Sequence, residues 1–210
     1  MDRLIETQFW IAERQDVSIA FVEPRADAAR LSLARLSGVI AVEPQRSVAV
    51  RVRAGHRERY VSLTGVPPNP RFKRIVDRDG RTLPMPASGV VLSKMLGDIL
   101  GVTPGDQVRL EVLEGARPVR DMPVAGFVDD TMGLAMYLNL ADVHRLMREG
   151  DVASGALLLI DSASEAAVAR VLKTLPAVAG AGFKRAVLQS FRDTMAANMN
   201  LSIAINLIFA

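Results

Sequence analysis

Apolar and polar residues alternate most regularly in the stretch SVAVRVR, residues 47–53. Arg51 and Arg53 lie on one side of this alternation, and the other side carries Val48, Val50 and Val52. A period of two residues predicts a strand with one buried face. The turn sequence AGHRER and the run YVSLTGV follow, so we predict a β-hairpin with one face in solvent.

The residues before this hairpin predict a strand, a helix and a second strand. Residues 17–22 are a short apolar run, which is typical of a buried strand. We expect Pro24 to open a helix, because proline lacks an N–H that the first helical turn does not use. This helix carries Leu33 and Leu36 and ends at Gly38. Residues 39–42 (VIAV) are the second strand.

The character of the sequence changes after the hairpin. Residues 67–86 hold five of the eleven prolines of the chain, around the turn DRDG. Proline at this density opposes both helices and central strands, so we predict a crossing between two lobes.

The region up to residue 139 is predicted to be mostly β. Residues 90–92 read as a strand, and Ser93 is the expected N-cap of a short helix that Gly101 closes. The apolar side of this helix comprises Leu96, Ile99 and Leu100. A Pro-Gly-Asp turn then leads to an alternating strand with Val108, Leu110 and Val112, and Gly115 turns the chain back.

Helices and strands alternate again from Asn139. The stretch LADVHRLM predicts an amphipathic helix with Leu140, Val143 and Met147, and ALLLID predicts a buried strand. Ser164 is the expected cap of the next helix, which Pro176 ends. The apolar positions of that helix are Val168, Val171, Leu172 and Leu175. The stretch AVAGAGFKRAVL predicts the last strand.

One internal similarity connects the two ends of the chain. LARLSGVIAV, from Leu33, and LKTLPAVAGA, from Leu172, share Leu-x-x-Leu, a helix-breaking residue and a valine at the seventh position. Each lies within a predicted strand–helix–strand unit. We therefore predict that both units belong to one α+β lobe, with the β region inserted between them.

The two ends of the sequence lack the polar fraying that is common at domain ends. MDRLIETQFWIAER predicts an amphipathic helix and has no signal-peptide h-region. The last seventeen residues carry no charge. As a helix they would span roughly 26 Å, slightly less than a bilayer core of ~30 Å. They fit either a terminal helix packed on the domain or the first turns of a truncated transmembrane helix.

Composition and charge narrow the possible functions. The chain has 210 residues, half of them hydrophobic, which suits a globular protein with a real core. The net charge is +3, the arginines are scattered and aromatic residues are few, so nucleic-acid binding is not expected. Cysteine is absent, which excludes disulfides, thiolate metal sites and cysteine nucleophiles.

Motifs that carry chemistry are also missing. The sequence has no phosphate-binding G-x-x-x-x-G-K-[ST] loop and no serine-nucleophile motif. His56 and His144 fall in different halves, and we expect Asp129-Asp130 to cap a turn rather than bind a cation. Met132 and Met136 read as core residues. We therefore predict no catalytic, cofactor-binding or metal-binding residue and a protein that is not an enzyme.

The most specific phrase is LGVTPGDQVRLEV, from Leu100. It is similar to a phrase in small β-barrel DNA-binding factors of the swapped-hairpin type, so alone it leaves that function, or a protein-interaction module, open. In the whole chain it is preceded by VVLSKMLGDI and followed by PVAGFVDDTMGLAMYLNLADVHRLM, a strand–helix–strand unit and the SFRD helix. This order resembles the FtsX-like (MacB-type) ABC transporter permeases.

The resemblance implies an α+β fold in which a porter-like lobe is split by an inserted, mostly β, sabre-like lobe. The implied segments are a stalk helix (1–15), the first half of the porter-like lobe (16–66), the β lobe (67–139), the second half (140–189), and a stalk helix that starts a transmembrane helix (190–210). The domain would lie between the first and second transmembrane helices.

The implied function is an extracytoplasmic domain of a permease in the inner membrane, on the periplasmic side. It would relay ATP-driven change to cargo or partners, for export, lipoprotein release or envelope regulation. The implied partners are a cytoplasmic ABC ATPase subunit, a membrane-fusion or other periplasmic protein, and a second permease. Neither a cofactor nor nucleic acid is implied.

Overall fold

The structure, a computed structural model, describes residues 13–26, 28–76, 81–128 and 133–190. The fold is α+β, as predicted. The strands are β1 (Val17–Ala26), β2 (Val39–Ala54), β3 (Arg57–Val66), β4 (Val90–Ser93), β5 (Gln107–Val112), β6 (Val119–Val128), β7 (Met136–Asn139), β8 (Val152–Ile160) and β9 (Val178–Phe183). The helices are α1 (Ala28–Ala34), α2 (Lys94–Leu100), α3 (Leu140–Met147) and α4 (Glu165–Thr174).

Four strands form an antiparallel sheet in the order β2–β8–β1–β9. Only the first part of β2, up to Gln45, belongs to this sheet. Helix α1 connects β1 to β2, and helix α4 connects β8 to β9, so the chain forms two βαβ units. In the sheet, the two strands of each unit are separated by a strand of the other unit. This is the split-βαβ arrangement of ferredoxin-like folds. We call this part the split-βαβ lobe.

The remaining part of β2 belongs to a second sheet. Its neighbours follow each other in the order β2–β3–β7–β4–β6–β5, and β5 pairs with β2 again. The six strands therefore close into a barrel, which leaves no free edge within it. We call this part, together with α2 and α3, the barrel lobe.

The hairpin β2–β3 thus contributes to the barrel, although the predicted limits assign it to the first half of the porter-like lobe. Arg46 pairs with Gly65 in β3, and Val50 pairs with Val112 in β5. The domain limits stay a prediction. This strand pairing favours a boundary near Arg46 in place of the one after Val66.

Each lobe has its own hydrophobic core. The barrel core contains the alternating valines of β2 and the apolar sides of α2 and α3, including Val50, Leu96 and Val143, each with no exposed surface. The second core lies between the sheet and the two helices α1 and α4, with Leu33 and Leu172 at its centre. Burying one such side chain stabilises the fold by about 1.5–3 kcal/mol relative to its exposure.

Local predictions around the barrel are confirmed. Ser93 caps α2, because its Oγ accepts a hydrogen bond from the N–H of Leu96 at 3.3 Å. Gly101 ends α2 with a φ of 67°, a left-handed conformation that glycine adopts without strain. The alternating residues of β5 point inward as predicted, at Val108, Leu110 and Val112.

One predicted helix start is wrong, and one predicted cap lacks its hydrogen bond. Pro24 lies in β1, and α1 begins at Ala28. The β1–β8 register shifts between Ala20 and Arg25, so Pro24 sits where no ladder hydrogen bond is required from it. Ser164 directly precedes α4, as predicted, but its side chain makes no capping hydrogen bond to the helix. Instead, Asp161 accepts from the N–H of Ala163 and begins a short 3-10 turn over Ser162–Ser164.

The last helix and strand also differ from the prediction. Val171 is 40% exposed, while Val168 and Leu172 form the buried side of α4. Strand β9 ends at Phe183, and residues 184–190 are helical.

Several predictions fall outside the described residues: the stalk helix up to residue 12, the turn at 77–80, the residues Asp129, Asp130 and Met132, and the tail from residue 191. Within the described ranges, no helix has the length and hydropathy that crossing a membrane requires.

Candidate functional site

The two lobes are joined by two stretches of chain that lie side by side. The first is β2, which makes its last pair with β8 at Gln45 and its first pair with β3 at Arg46. The second is the stretch 148–151, which leads from α3, packed on the barrel, to β8. Any force that passes between the lobes along the chain must pass through these two connections.

Arg46 lies at the point where β2 changes lobes, and its side chain is only 2% exposed. Its Nε and Nη2 donate to the two carboxylate oxygens of Glu149 at 2.7 and 3.1 Å. Nη2 also lies 2.7 Å from an oxygen of Glu114, and Nη1 donates to the carbonyl of Ser47 at 3.1 Å. The guanidinium therefore binds one carboxylate in the second connection and one in the β5–β6 turn of the barrel.

This arrangement keeps Arg46 charged inside the protein. Burial alone would lower the pKa of Arg46, but the hydrogen bonds and charges of Glu149 and Glu114 outweigh it and raise the pKa. A bidentate pair between guanidinium and carboxylate also fixes the relative orientation of the two groups. Removing one partner would leave a buried charge without compensation, which is strongly destabilising.

Serine hydroxyls connect the same strands beside Arg46. The N–H of Ser47 donates to Ser154 Oγ at 2.8 Å, so the ladder between β2 and β8 continues through a side chain where main-chain pairing stops. Ser154 Oγ in turn donates to the carbonyl of Gln45 at 3.4 Å. The oxygens of Ser47 and Thr64 lie 3.2 Å apart and connect β2 to β3.

Glu43 makes a further connection on the opposite face of β2. It is 8% exposed, and its carboxylate accepts from the N–H of Arg71 at 2.7 Å. Burial raises the pKa of Glu43, and main-chain hydrogen bonds from Arg71, Phe72 and Lys73 partly oppose this shift. The carboxylate thereby attaches the proline-rich crossing segment to the sheet.

A cavity of about 360 Å³ adjoins the junction. Both lobes contribute to its wall, which includes Phe21, Ala29 and Ala153 from the split-βαβ lobe and Leu140 and His144 from α3. His144 Nε2 lies 3.0 Å from the carbonyl oxygen of Val152. The residues that line the cavity are mostly apolar.

The two histidines are not brought together. His56 lies in the turn at the far end of the β2–β3 hairpin, whereas His144 lies at the junction. Among the residues that the structure describes, no group of three or more carboxylates and imidazoles could hold a metal ion. Met136 is fully buried in the barrel core, as its interpretation as a core residue predicted.

Arg46 is not among the residues predicted to be functional, although its position in the sequence carries a signal. Arg46 lies an even number of residues from Val48, Val50 and Val52, so it is on the same, buried side of β2. Glu114 likewise follows Val112 by two residues and so continues the buried side of β5. An arginine and a glutamate at two inward positions of paired strands indicate a buried ion pair.

The chain enters β1 and leaves β9 at one place in the sheet. The N–H of Lys184 donates to the carbonyl of Asp16 at 2.8 Å, next to the β1–β9 pair Val17–Phe183. Val17 and Val42 both pair with Leu158, and β2 runs from that level towards Arg46 and the barrel. The chain before Asp16 also lies beside the crossing segment, because the N–H of Arg14 donates to the carbonyl of Phe72 at 2.9 Å.

The fold is similar to two solved extracytoplasmic domains. One is the extracellular domain of the noncanonic ABC-type transporter YknZ from Gram-positive bacteria, with a TM-score of 0.51 and 17% identity over 80% of this chain and 100% of that chain. The other is the periplasmic region of MacB from Actinobacillus actinomycetemcomitans, with a TM-score of 0.51 and 15% identity over 90% of this chain and 98% of that chain. No protein-family profile and no curated protein matches the sequence. At the level of the fold, the resemblance to MacB-type domains is confirmed.

Proposed function

We propose that this chain is the extracytoplasmic domain of an ABC transporter permease and that it passes ATP-driven movement to cargo or to partner proteins. The observation that carries the proposal is that the chain enters and leaves the sheet at one place. The hydrogen bond from the N–H of Lys184 to the carbonyl of Asp16 puts the residue after β9 beside the residue before β1. A domain inserted between two neighbouring membrane helices requires this geometry.

The proposed path of movement follows the chain. The segments before Asp16 and after Lys184 connect to the first and second transmembrane helices. The split-βαβ lobe stands next to the membrane, and the barrel is the distal part that meets cargo or a partner. A small displacement at the membrane then becomes a larger displacement of the barrel, as in rigid-body switching.

The proposal assigns the remaining activities to other subunits. A cytoplasmic ABC ATPase hydrolyses ATP, and two permeases assemble with it in the inner membrane. The distal surface, on the periplasmic side, meets a membrane-fusion protein or another periplasmic partner. We assign no catalytic step to this chain itself.

The test uses the full-length gene product expressed with the ABC ATPase encoded beside it. We expect the two to co-purify from membranes and to hydrolyse ATP, while this chain alone shows no ATP binding in calorimetry. An ATPase variant without its phosphate-loop lysine is the control, and it should keep the complex but lose hydrolysis. A full-length product that stays out of the membrane, or saturable ATP binding by this chain, would contradict the proposal.

A further inference from the structure

We propose that Arg46 is a clamp that holds the two connections between the lobes together, so that the barrel and the split-βαβ lobe move as one body. Arg46 belongs to the first connection and Glu149 to the second, and the bidentate pair between them crosses from one to the other. Glu114 adds a third point of attachment from the barrel. These three groups come from three separate parts of the chain.

The geometry explains why this contact resists bending. Two strands that leave a lobe side by side can shear or splay unless something fixes their separation. The guanidinium is planar, and its two bonds to Glu149 hold only at one separation and one relative angle. A bend that lengthens either bond separates the charge of Arg46, whose side chain is 2% exposed, from its partner. Because an unpaired buried charge is unfavourable, the junction returns to its original angle.

Glu43 supports the clamp from the other face of β2. The two side chains lie three residues apart on the strand and therefore leave it on opposite faces. Arg46 ties β2 to the second connection, and Glu43 ties the same strand to the crossing segment through the N–H of Arg71. With both faces held, the strand cannot roll about its own axis without breaking one of the two contacts.

The value of such a clamp for transport rests on the proposed function. A movement that passes through a flexible junction is partly lost there. The junction in this protein lies between two separately packed cores. The stiffness itself is a property of the chain alone and can be measured without an ATPase.

The test is a distance measurement between spin labels on the 210-residue chain. The chain has no cysteine, so introduced cysteines are the only labelling sites. One pair, at Lys94 on α2 and Lys173 on α4, reports the distance between the lobes. A second pair, at Lys94 and Arg59, lies within the barrel lobe. All three positions are exposed.

We expect Arg46→Met to broaden the distance distribution between the lobes by about twofold, because more orientations of the junction become populated. The distribution within the barrel should stay unchanged. The matched control is Arg51→Met, which removes an arginine from the same strand that pairs with Glu111 inside the barrel lobe. This control should leave both distributions as they are in the wild type.

Equal widths between the lobes in the wild type, Arg46→Met and Arg51→Met would overturn the proposal. If Arg46→Met does not fold, Glu149→Gln decides, since it keeps the shape of the partner and removes its charge. Glu149→Gln should broaden only the distribution between the lobes, and an unchanged distribution there would also overturn the clamp. Loss of ATPase association by the full-length protein would contradict the permease role and leave this result untouched.

Discussion

Leu33 and Leu172 occupy equivalent positions in the two βαβ units and are buried in the same core, at 3% and 1% exposure. The chain leaves both helices in the same way. The N–H three residues after each leucine donates back to its carbonyl, at 3.1 Å for Leu36 and 3.3 Å for Leu175. The sequence similarity between the two segments therefore reflects a structural repeat.

The first prediction concerns this pair of leucines. Replacing either Leu33 or Leu172 by Ala should lower the free energy of unfolding by ~2–5 kcal/mol, because each leaves a cavity in a packed core. Chemical denaturation measures the change. Leu31→Ala and Val171→Ala are the controls, since both side chains are at least 40% exposed, and their effect should stay within about 0.5 kcal/mol. A large loss in only one of the two core variants would mean that the units are not equivalent.

The repeat was predictable because all of its signals are local. Helix period, a breaking residue and a following strand lie within ten residues of one another. Leu36 and Leu175 were predicted among the apolar positions of their helices, and both are half-buried at the rim of the core. Each lies beyond the end of its helix, where the helical period no longer decides which side faces inward.

The second prediction concerns Gly38, two residues after the first Leu-x-x-Leu. Its φ is 85°, and a Cβ there would lie 2.4 Å from Ser164 Cβ. Gly38→Ala should therefore destabilise the fold by more than the ~1–2 kcal/mol that the left-handed backbone alone costs a residue with a Cβ. Gly105→Ala is the matched control, because Gly105 also has a positive φ, and a Cβ there would meet nothing within 4 Å.

A second substitution separates the clash from the backbone strain. Ser164→Gly removes the atom that a Cβ at position 38 would strike. The double variant should therefore lose less than the sum of the two single variants, and thermal or chemical unfolding of the four proteins gives the coupling. If the two losses of stability simply add, the contact with Ser164 is not the reason why alanine is unfavourable at position 38.

The architecture beyond the repeat could not be read from local patterns. A period of two residues marks the buried face of β2 but does not name the strands that pair with it. The closed barrel depends on such pairings between distant residues, among them Val50 with Val112 and Leu63 with Met136. For the same reason, the alternation along β2 places Arg46 on the buried side but does not show what neutralises its charge, which only the two carboxylate partners explain.

The third prediction tests the swapped-hairpin DNA-binding alternative. On the outer face of the barrel, Arg51 and Arg53 pair with Glu111, and Arg109 pairs with Asp121. Arginines neutralised in this way do not form a free basic surface for phosphates. We expect no binding of duplex DNA at physiological salt in gel-shift experiments. A shift whose affinity falls steeply with salt, as counterion release requires, would favour the DNA-binding function instead.

The final prediction uses two carboxylates whose pKa values move in opposite directions. Burial raises the pKa of Glu43, whereas the hydrogen bond from Arg109 lowers the pKa of Asp121. The folded state therefore binds the Glu43 proton more tightly than the unfolded chain does, and binds the Asp121 proton less tightly. The contribution of Glu43 to stability is fully present below its unfolded pKa and is lost as pH rises through its folded pKa.

For Asp121 the sign is reversed, because its contribution is present above the unfolded pKa and is lost as pH falls through the lower folded pKa. As pH rises above the ordinary glutamate range, we expect the wild type to lose stability relative to Glu43→Gln. The difference between wild type and Asp121→Asn should instead favour the wild type more as pH rises from the acid side. Urea unfolding across this range measures both slopes. Because each variant serves as the control for the other, two slopes of the same sign would contradict the opposite environments of the two groups.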